Sequence, residues 1–208
     1  SNGFDAVPDR QTGLLAYKEL KCVFPNQNIH FIPQNVHIKE YQESREHVTT
    51  LMHPNHSVMD ESIAMALWFA AKASTSRVLM VGMGADEQFG GYTRHATRFR
   101  REGYQGLLVE LQLDVDRIST RNLGRDDRVI SDCSVEARYP FLDEQVVQFS
   151  CHLPLSQKMT AAGENKWIVR ESLRRLGFSA SLAATTKRAI QFGARTAKIQ
   201  QALIDALP

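Results

Sequence analysis

The sequence predicts an α/β protein that is mostly helical and carries one or two parallel strands. Arg77 to Met83 is its best strand, short and apolar on both faces, as strands buried in a parallel sheet are. The stretch from Gly84 to Pro208 reads as almost wholly helical, broken by polar turns such as Asn122 to Asp127. Between them lies the loop Gly82-Met83-Gly84, at the carboxyl end of the strand, where open α/β folds bind ligands.

Upstream, Phe4 to Gly13 is loop-like, with Pro8 and Gly13 as punctuation, and Leu14 to Val23 carries a helical apolar stripe. Asn28 to Val36 has strand-forming residues, but Pro33 restricts it to a short or edge strand. Lys39 to Leu51 suits a surface helix, and Asp60 is placed to cap a helix running to Ala73. A buried parallel strand needs neighbours on both sides. The expectation is therefore that partner strands lie in sequence outside this chain or come from another chain. The opening Ser1-Asn2-Gly3, without methionine, and the finish at Pro208 without a tail point the same way, to a piece of something longer.

Composition narrows the function classes. With 208 residues, 43% apolar and 23% charged, the chain is an ordinary globular one. Its net charge of +2 argues for neither nucleic acid nor a membrane surface. The longest apolar run, Ile63 to Ala71, falls far short of the roughly 20 residues that cross a bilayer. Cys22, Cys133 and Cys151 are widely spaced, which fits neither a disulfide framework nor a zinc knuckle; a reducing, cytoplasmic setting is expected. Arg94, Arg98 and Arg101 share a helix face that could track phosphates, although a solvated face explains them as well.

The chemistry concentrates in VLMVGMGADEQFGGY, Val78 to Tyr92. It is neither a dinucleotide fingerprint, because Glu87 stands at the third glycine's place, nor a Walker loop, because no Lys-Ser/Thr follows. Glycine amides and a helix N-terminus attract anions, yet Asp86 would repel a polyphosphate. A Mg²⁺ between the two removes the conflict, since magnesium is held by one or two carboxylates plus phosphate oxygens. The plainer alternative is that Asp86 and Glu87 cap the helix. Gly90-Gly91 costs a helix about 1 kcal/mol per residue relative to alanine, so something packs closely there or the helix ends.

These residues resemble the signature S-G-x-G-A/S-D-E-x-F-G-G-Y of the asparagine synthetase family. Further blocks agree: Ser57 to Ala71 (SVMDESIAMALWFAA), Glu136 to Asp143 (EARYPFLD), Leu153-Pro154 with Lys166 to Arg170 (KWIVR), and Thr186 to Gly193 (TKRAIQFG). Asp86-Glu87-Gln88 and Arg117 to Ile130 are most similar to the family's eukaryotic, domain-containing branch.

The resemblance implies the C-terminal part of an adenine-nucleotide alpha-hydrolase-like (ATP pyrophosphatase) synthetase domain, spanning residues 1–208. The family's S-G-G-x-D-S pyrophosphate loop and its glutaminase domain with a leading cysteine are then expected upstream. It also implies ATP-dependent amide formation on an amino-acid carboxylate, aspartate first, with glutamine or ammonia as nitrogen source. Asp86 is implied as the Mg²⁺ ligand, and Gly82, Met83 and Gly84 as the loop beside the nucleotide. Lys166 and Lys187 are implied to neutralise pyrophosphate, and Lys187 also to stabilise charge in the transition state. Lys166 snorkelling from a helix and Lys187 in a solvated loop are the plain alternatives. Val81 stands at the family's serine position and Met83 where Glu or Asp is usual. A thioether cannot take a proton or hold an ammonium, so a non-catalytic binding or scaffold module is the competing expectation.

Overall fold

The computed structural model describes residues 3–205, so Ser1, Asn2 and residues 206–208 lie outside the described residues. The elements run α1 (Pro8–Val23), α2 (Ile38–Leu51), α3 (Val58–Lys72), β1 (Val78–Met80), α4 (Ala85–Phe89), α5 (Thr93–Ile118), α6 (Gly124–Ser131), β2 (Glu136–Arg138) and α7 (Glu144–His152). They continue with α8 (Leu155–Lys158), α9 (Trp167–Arg175), α10 (Ala180–Ala183), α11 (Ile190–Gly193) and α12 (Thr196–Asp205). The protein is α/β and mostly helical, with one two-stranded parallel sheet. Its register is set by Glu136 N–H donating to Arg77 O at 2.8 Å and Val81 N–H donating to Arg138 O at 2.9 Å. No described helix is long and apolar enough to cross a membrane.

Two compact units divide the chain. The first comprises the residues up to Leu79, Gly124–Ala137, and those from Arg188 onward; the second comprises Met80–Leu123 and Arg138–Lys187. In the first unit α3 is central. Ser57 Oγ accepts from Asp60 N–H at 3.1 Å, so the cap is Ser57 rather than Asp60, which turns inward to Arg125 at 2.5 Å. Its Ala64, Met65, Leu67 and Phe69 are buried against α2, α6, α11 and α12. Helix α2 is less of a surface helix than its composition suggests, because Tyr41 and Val48 are fully buried.

Several local expectations change. Helix α1 starts at Pro8, whose fixed φ suits a first helical position, so residues 8–13 are helix and not loop. Residues 28–36 form no strand; a strand exists only as a ladder, and Pro33 offers no donor. Strand β1 keeps only three of the seven residues expected, and Val78 and Met80 are 43% and 71% exposed instead of buried. β2, inside EARYPFLD, interrupts the expected helical run.

In the second unit the short helix α4 is central, packed by α5, α7 and α9. Leu107 and Leu111 of α5 close with Met159 into a buried cluster, and Phe89 is buried beside Phe141. Helix α5 is two helices joined at Gly103, whose φ of 63° lies outside the helical region. On its basic face Arg94 pairs with Asp114 and Glu110, and Arg98 with Glu102 at 2.9 Å, so much of that charge is spent on neighbouring carboxylates.

Candidate functional site

The glycine loop turns sharply into α4. Gly84 adopts φ +93°, and a Cβ there would lie 2.5 Å from Leu142, so both conformation and space require glycine. At Gly82 a Cβ would meet nothing within 4 Å; this exposed glycine borders open space. Met83, between them, is half-buried.

The two acidic residues that follow part company. Glu87 is buried and accepts from Gly84 N–H at 3.1 Å, Tyr92 O–H at 2.6 Å and Asn122 Nδ2 at 3.2 Å. It is the structural cap. Asp86 faces the other way, with Lys166 Nζ 3.0 Å from Oδ1 and Lys187 Nζ 3.4 Å from Oδ2. Two ammoniums around one carboxylate leave this corner cationic, which reverses the repulsion that Asp86 alone would exert on a polyphosphate.

The tail of the motif makes room for Asp86. Helix α4 ends at Gly90, with φ +76°, and a Cβ on Gly91 would stand 1.8 Å from Asp86 Oδ1. Both reasons for a Gly-Gly pair, an ending helix and a close approach, hold at once. That same Oδ1 is shut off from solvent and meets Lys166 outside hydrogen-bond geometry, leaving an oxygen able to accept another partner.

The lysines arrive from distant sequence, and neighbouring backbone and side-chain groups hold their segments in place. Lys166 sits in the left-handed region, φ +51°, with its N–H donating to Phe89 O at 3.1 Å. For a non-glycine residue that conformation costs about 1–2 kcal/mol, and such residues cluster at functional sites. Asn165 Nδ2 donates to Gly91 O at 3.3 Å, tying this turn to the motif. Arg170 donates to Asn165 O at 2.9 Å and Asn165 Oδ1 at 3.1 Å, and also to Ala183 O at 2.5 Å and Thr185 O at 3.1 Å. One guanidinium thus ties together the segments that carry Lys166 and Lys187. Lys187 Nζ stands 4.5 Å from the centre of the Tyr92 ring.

Tyr92 and Arg170 stand inside the quoted motifs and Asn165 beside one, yet the sequence assigns none of them a role, because their contacts join residues that the chain order separates. A second feature, a cavity of about 460 Å³, belongs to the first unit and is walled by Phe4, Val7, Phe31, Tyr41 and Phe69. Arg10 and Arg195 on its wall donate to Asn35 and to Ala6 O.

Comparison with known proteins places the chain. Residues 29–108 and 100–207 match the family described as asparagine synthase. The chain belongs to the asparagine synthase family. It is 43% identical over 215 residues to asparagine synthetase domain-containing protein 1 of Mus musculus, covering 94% of this chain and 34% of that protein. The asparagine synthetase domain-containing protein YML096W of Saccharomyces cerevisiae is 36% identical over 209 residues, covering 93% and 38% respectively. A putative glutamine-hydrolysing asparagine synthetase of Methanocaldococcus jannaschii is 44% identical over 84 residues, 40% of this chain and 16% of that protein. The chain spans about a third of the length of the curated eukaryotic relatives it matches. Within this chain Asp86 meets Lys166 and Lys187 at ion-pair distance, while Gly82, Met83 and Gly84 form the turn that leads to them.

Proposed function

We propose that the intact protein carrying this chain makes an amide from an amino-acid carboxylate, with aspartate the first candidate, at the expense of ATP. The supporting observation is the pair of lysines on Asp86 at the mouth of a glycine turn. In the first step a substrate carboxylate oxygen attacks the α-phosphorus of ATP, and pyrophosphate leaves with the electrons of the broken P–O bond. In the second a nitrogen, from glutamine or free ammonia, attacks the acyl carbon; AMP leaves and the nitrogen gives up a proton.

Lys166 and Lys187 neutralise the departing pyrophosphate, and Lys187 also meets the charge that builds during transfer. The amides of the Gly82–Gly84 turn lie beside the nucleotide. Asp86 fits a Mg²⁺ as a single carboxylate ligand, on the strength of its buried, poorly satisfied Oδ1. Among the described residues no three His, Cys, Asp or Glu side chains cluster, so phosphate oxygens and water would complete the shell. When bound, the ion supplies charge neutralisation on the phosphates. A reducing, cytoplasmic compartment is part of the proposal, supported by three cysteines left as free thiols.

The test is pyrophosphate release from ATP by the intact protein with a panel of amino-acid carboxylates. Asp86→Ala is expected to abolish it, and Lys187→Ala to reduce it about 10²–10³-fold, the usual effect of losing one charge-stabilising donor. Absence of turnover with every carboxylate overturns the reading. Val81 and Met83 favour a second one, a binding module that keeps the fold without the reaction; calorimetric binding of ATP–Mg²⁺ without pyrophosphate release would establish it.

A further inference from the structure

Tyr92 closes the signature motif and meets Glu87, Arg94, His95 and Lys187. Its O–H donates to Glu87 Oε1 at 2.6 Å, which fixes the tilt of the ring. Burial first, and the Glu87 carboxylate second, push the phenol well above its ordinary range, so the ring stays neutral and the hydroxyl stays a donor. Lys187 Nζ lies 4.5 Å from the ring centre while holding Asp86 Oδ2 at 3.4 Å. The ammonium is thus located by two attractions at once, a carboxylate and the negative face of an aromatic ring.

The ring is itself braced. Tyr92 N–H donates to His95 Nδ1 at 3.3 Å, which leaves Nε2 to carry the proton and donate to Asp114 Oδ2 at 2.8 Å. His95 is fully buried and Asp114 nearly so. The Arg94 guanidinium also lies over the Tyr92 ring, at 4.2 Å, but its charge is met by Asp114. Arg117 Nε bonds the other oxygen of Asp114 at 3.0 Å. A buried carboxylate that holds three partners is a rigid anchor, and through His95 it fixes where the Tyr92 ring stands.

We infer that Tyr92 is a positioning residue for Lys187: its ring face holds the ammonium against Asp86, ready for the departing phosphate charge. The inference rests on the role proposed above for Lys187. A free lysine at the end of a loop samples many rotamers, and a ring beneath it removes that freedom before substrate arrives. Among the described residues no ring lies under Lys166, whose backbone sits in the left-handed region.

The test reads Lys187 directly and needs no turnover. The intact protein is treated with limiting amine-acylating reagent, and the labelling rates of Lys187 and Lys166 are measured by peptide mass spectrometry. Tyr92→Phe is compared with mono-, tri- and pentafluorophenylalanine at the same position, which weaken the ring face while keeping the packing. Labelling of Lys187 should rise stepwise along the series, by about two- to fivefold in total, with Lys166 unchanged. Tyr92→Leu, which removes the ring, should give at least the same increase. Flat labelling of Lys187 along the series, or an equal rise at both lysines, overturns the inference. A stepwise rise in a protein that never releases pyrophosphate would keep the positioning and overturn the amidation; flat labelling in an active enzyme does the reverse.

Discussion

Gly91 lies so close to Asp86 that a Cβ on it would stand 1.8 Å from Oδ1 and 2.9 Å from the Asp86 Cα. The Cα cannot yield easily, because the Asp86 carbonyl also accepts Gly91 N–H at 2.9 Å, and Oδ1 can move only by leaving Lys166. Gly91→Ala therefore has to push the carboxylate off the lysines or open the end of α4. We expect a loss of about 1–3 kcal/mol in urea unfolding, the usual cost of overpacking. Gly82→Ala, where the added methyl meets nothing, should stay within about 0.5 kcal/mol of the parent. Equal stability of the two variants would contradict this account.

The contrast between these glycines shows what the sequence could reveal. Charge sign and a Gly-Gly pair where a helix should continue are local facts, so the sequence alone marks Asp86 as out of place beside a phosphate and requires either a close approach or a helix end at Gly90-Gly91. Lys166 and Lys187 followed from resemblance, and they do meet Asp86. Glu87 could not be separated from Asp86 by reading, because the difference lies in which side chain turns toward Tyr92 and Asn122. Arg170 and Asn165 were equally hidden; the Asn165 bond to Gly91 spans 74 residues of sequence. The one or two parallel strands expected are present as a pair, but their length is not legible: an apolar run signals burial, whereas a ladder needs a partner backbone, and β1 finds one only over three residues.

Glu87 accepts from the Gly84 amide, and it serves the Tyr92 hydroxyl and Asn122 as well. Glu87→Ala would strand these donors beside a buried void. A loss of about 2–4 kcal/mol is expected in chemical unfolding, since each buried group left unpaired costs about 1–3 kcal/mol and the surroundings relax in part. Glu87→Gln keeps the volume and one acceptor oxygen, so it should recover more than half of that loss. If Glu87→Gln proves as damaging as Glu87→Ala, the carboxylate charge and not its geometry is what the site requires.

Asp114 gives the fold an acid-sensitive anchor. Burial alone would raise its pKa, but hydrogen bonds from His95, Arg94 and Arg117 outweigh it and hold the carboxyl well below the ordinary range. The folded value lies below the unfolded one, so this stabilisation is complete above the unfolded pKa of about 3.9 and fades as pH falls further. Melting temperature measured from pH 6 down to pH 2 should therefore drop more steeply for the parent than for Asp114→Asn. The variant starts lower, because removing one partner from a buried ionic cluster costs about 3–5 kcal/mol. Parallel curves would mean that Asp114 titrates normally and does not anchor the Tyr92 segment.

Arg170 joins the two lysine-bearing segments through carbonyls, not through charge pairs. It reaches Asn165 on one side and Ala183 and Thr185 on the other. A lysine there has a point-like ammonium in place of a planar fork and cannot serve both sides in that geometry. Arg170→Lys should cost about 2–3 kcal/mol, in the range of a lost charge-assisted hydrogen bond with its partners left part-buried. Hydrogen exchange should locate the damage, with faster exchange at 163–166 and 183–187 and little change in α5. Because the substitution keeps the positive charge, a purely electrostatic role would leave both segments protected. Loosening of both together is the outcome that a mechanical link requires.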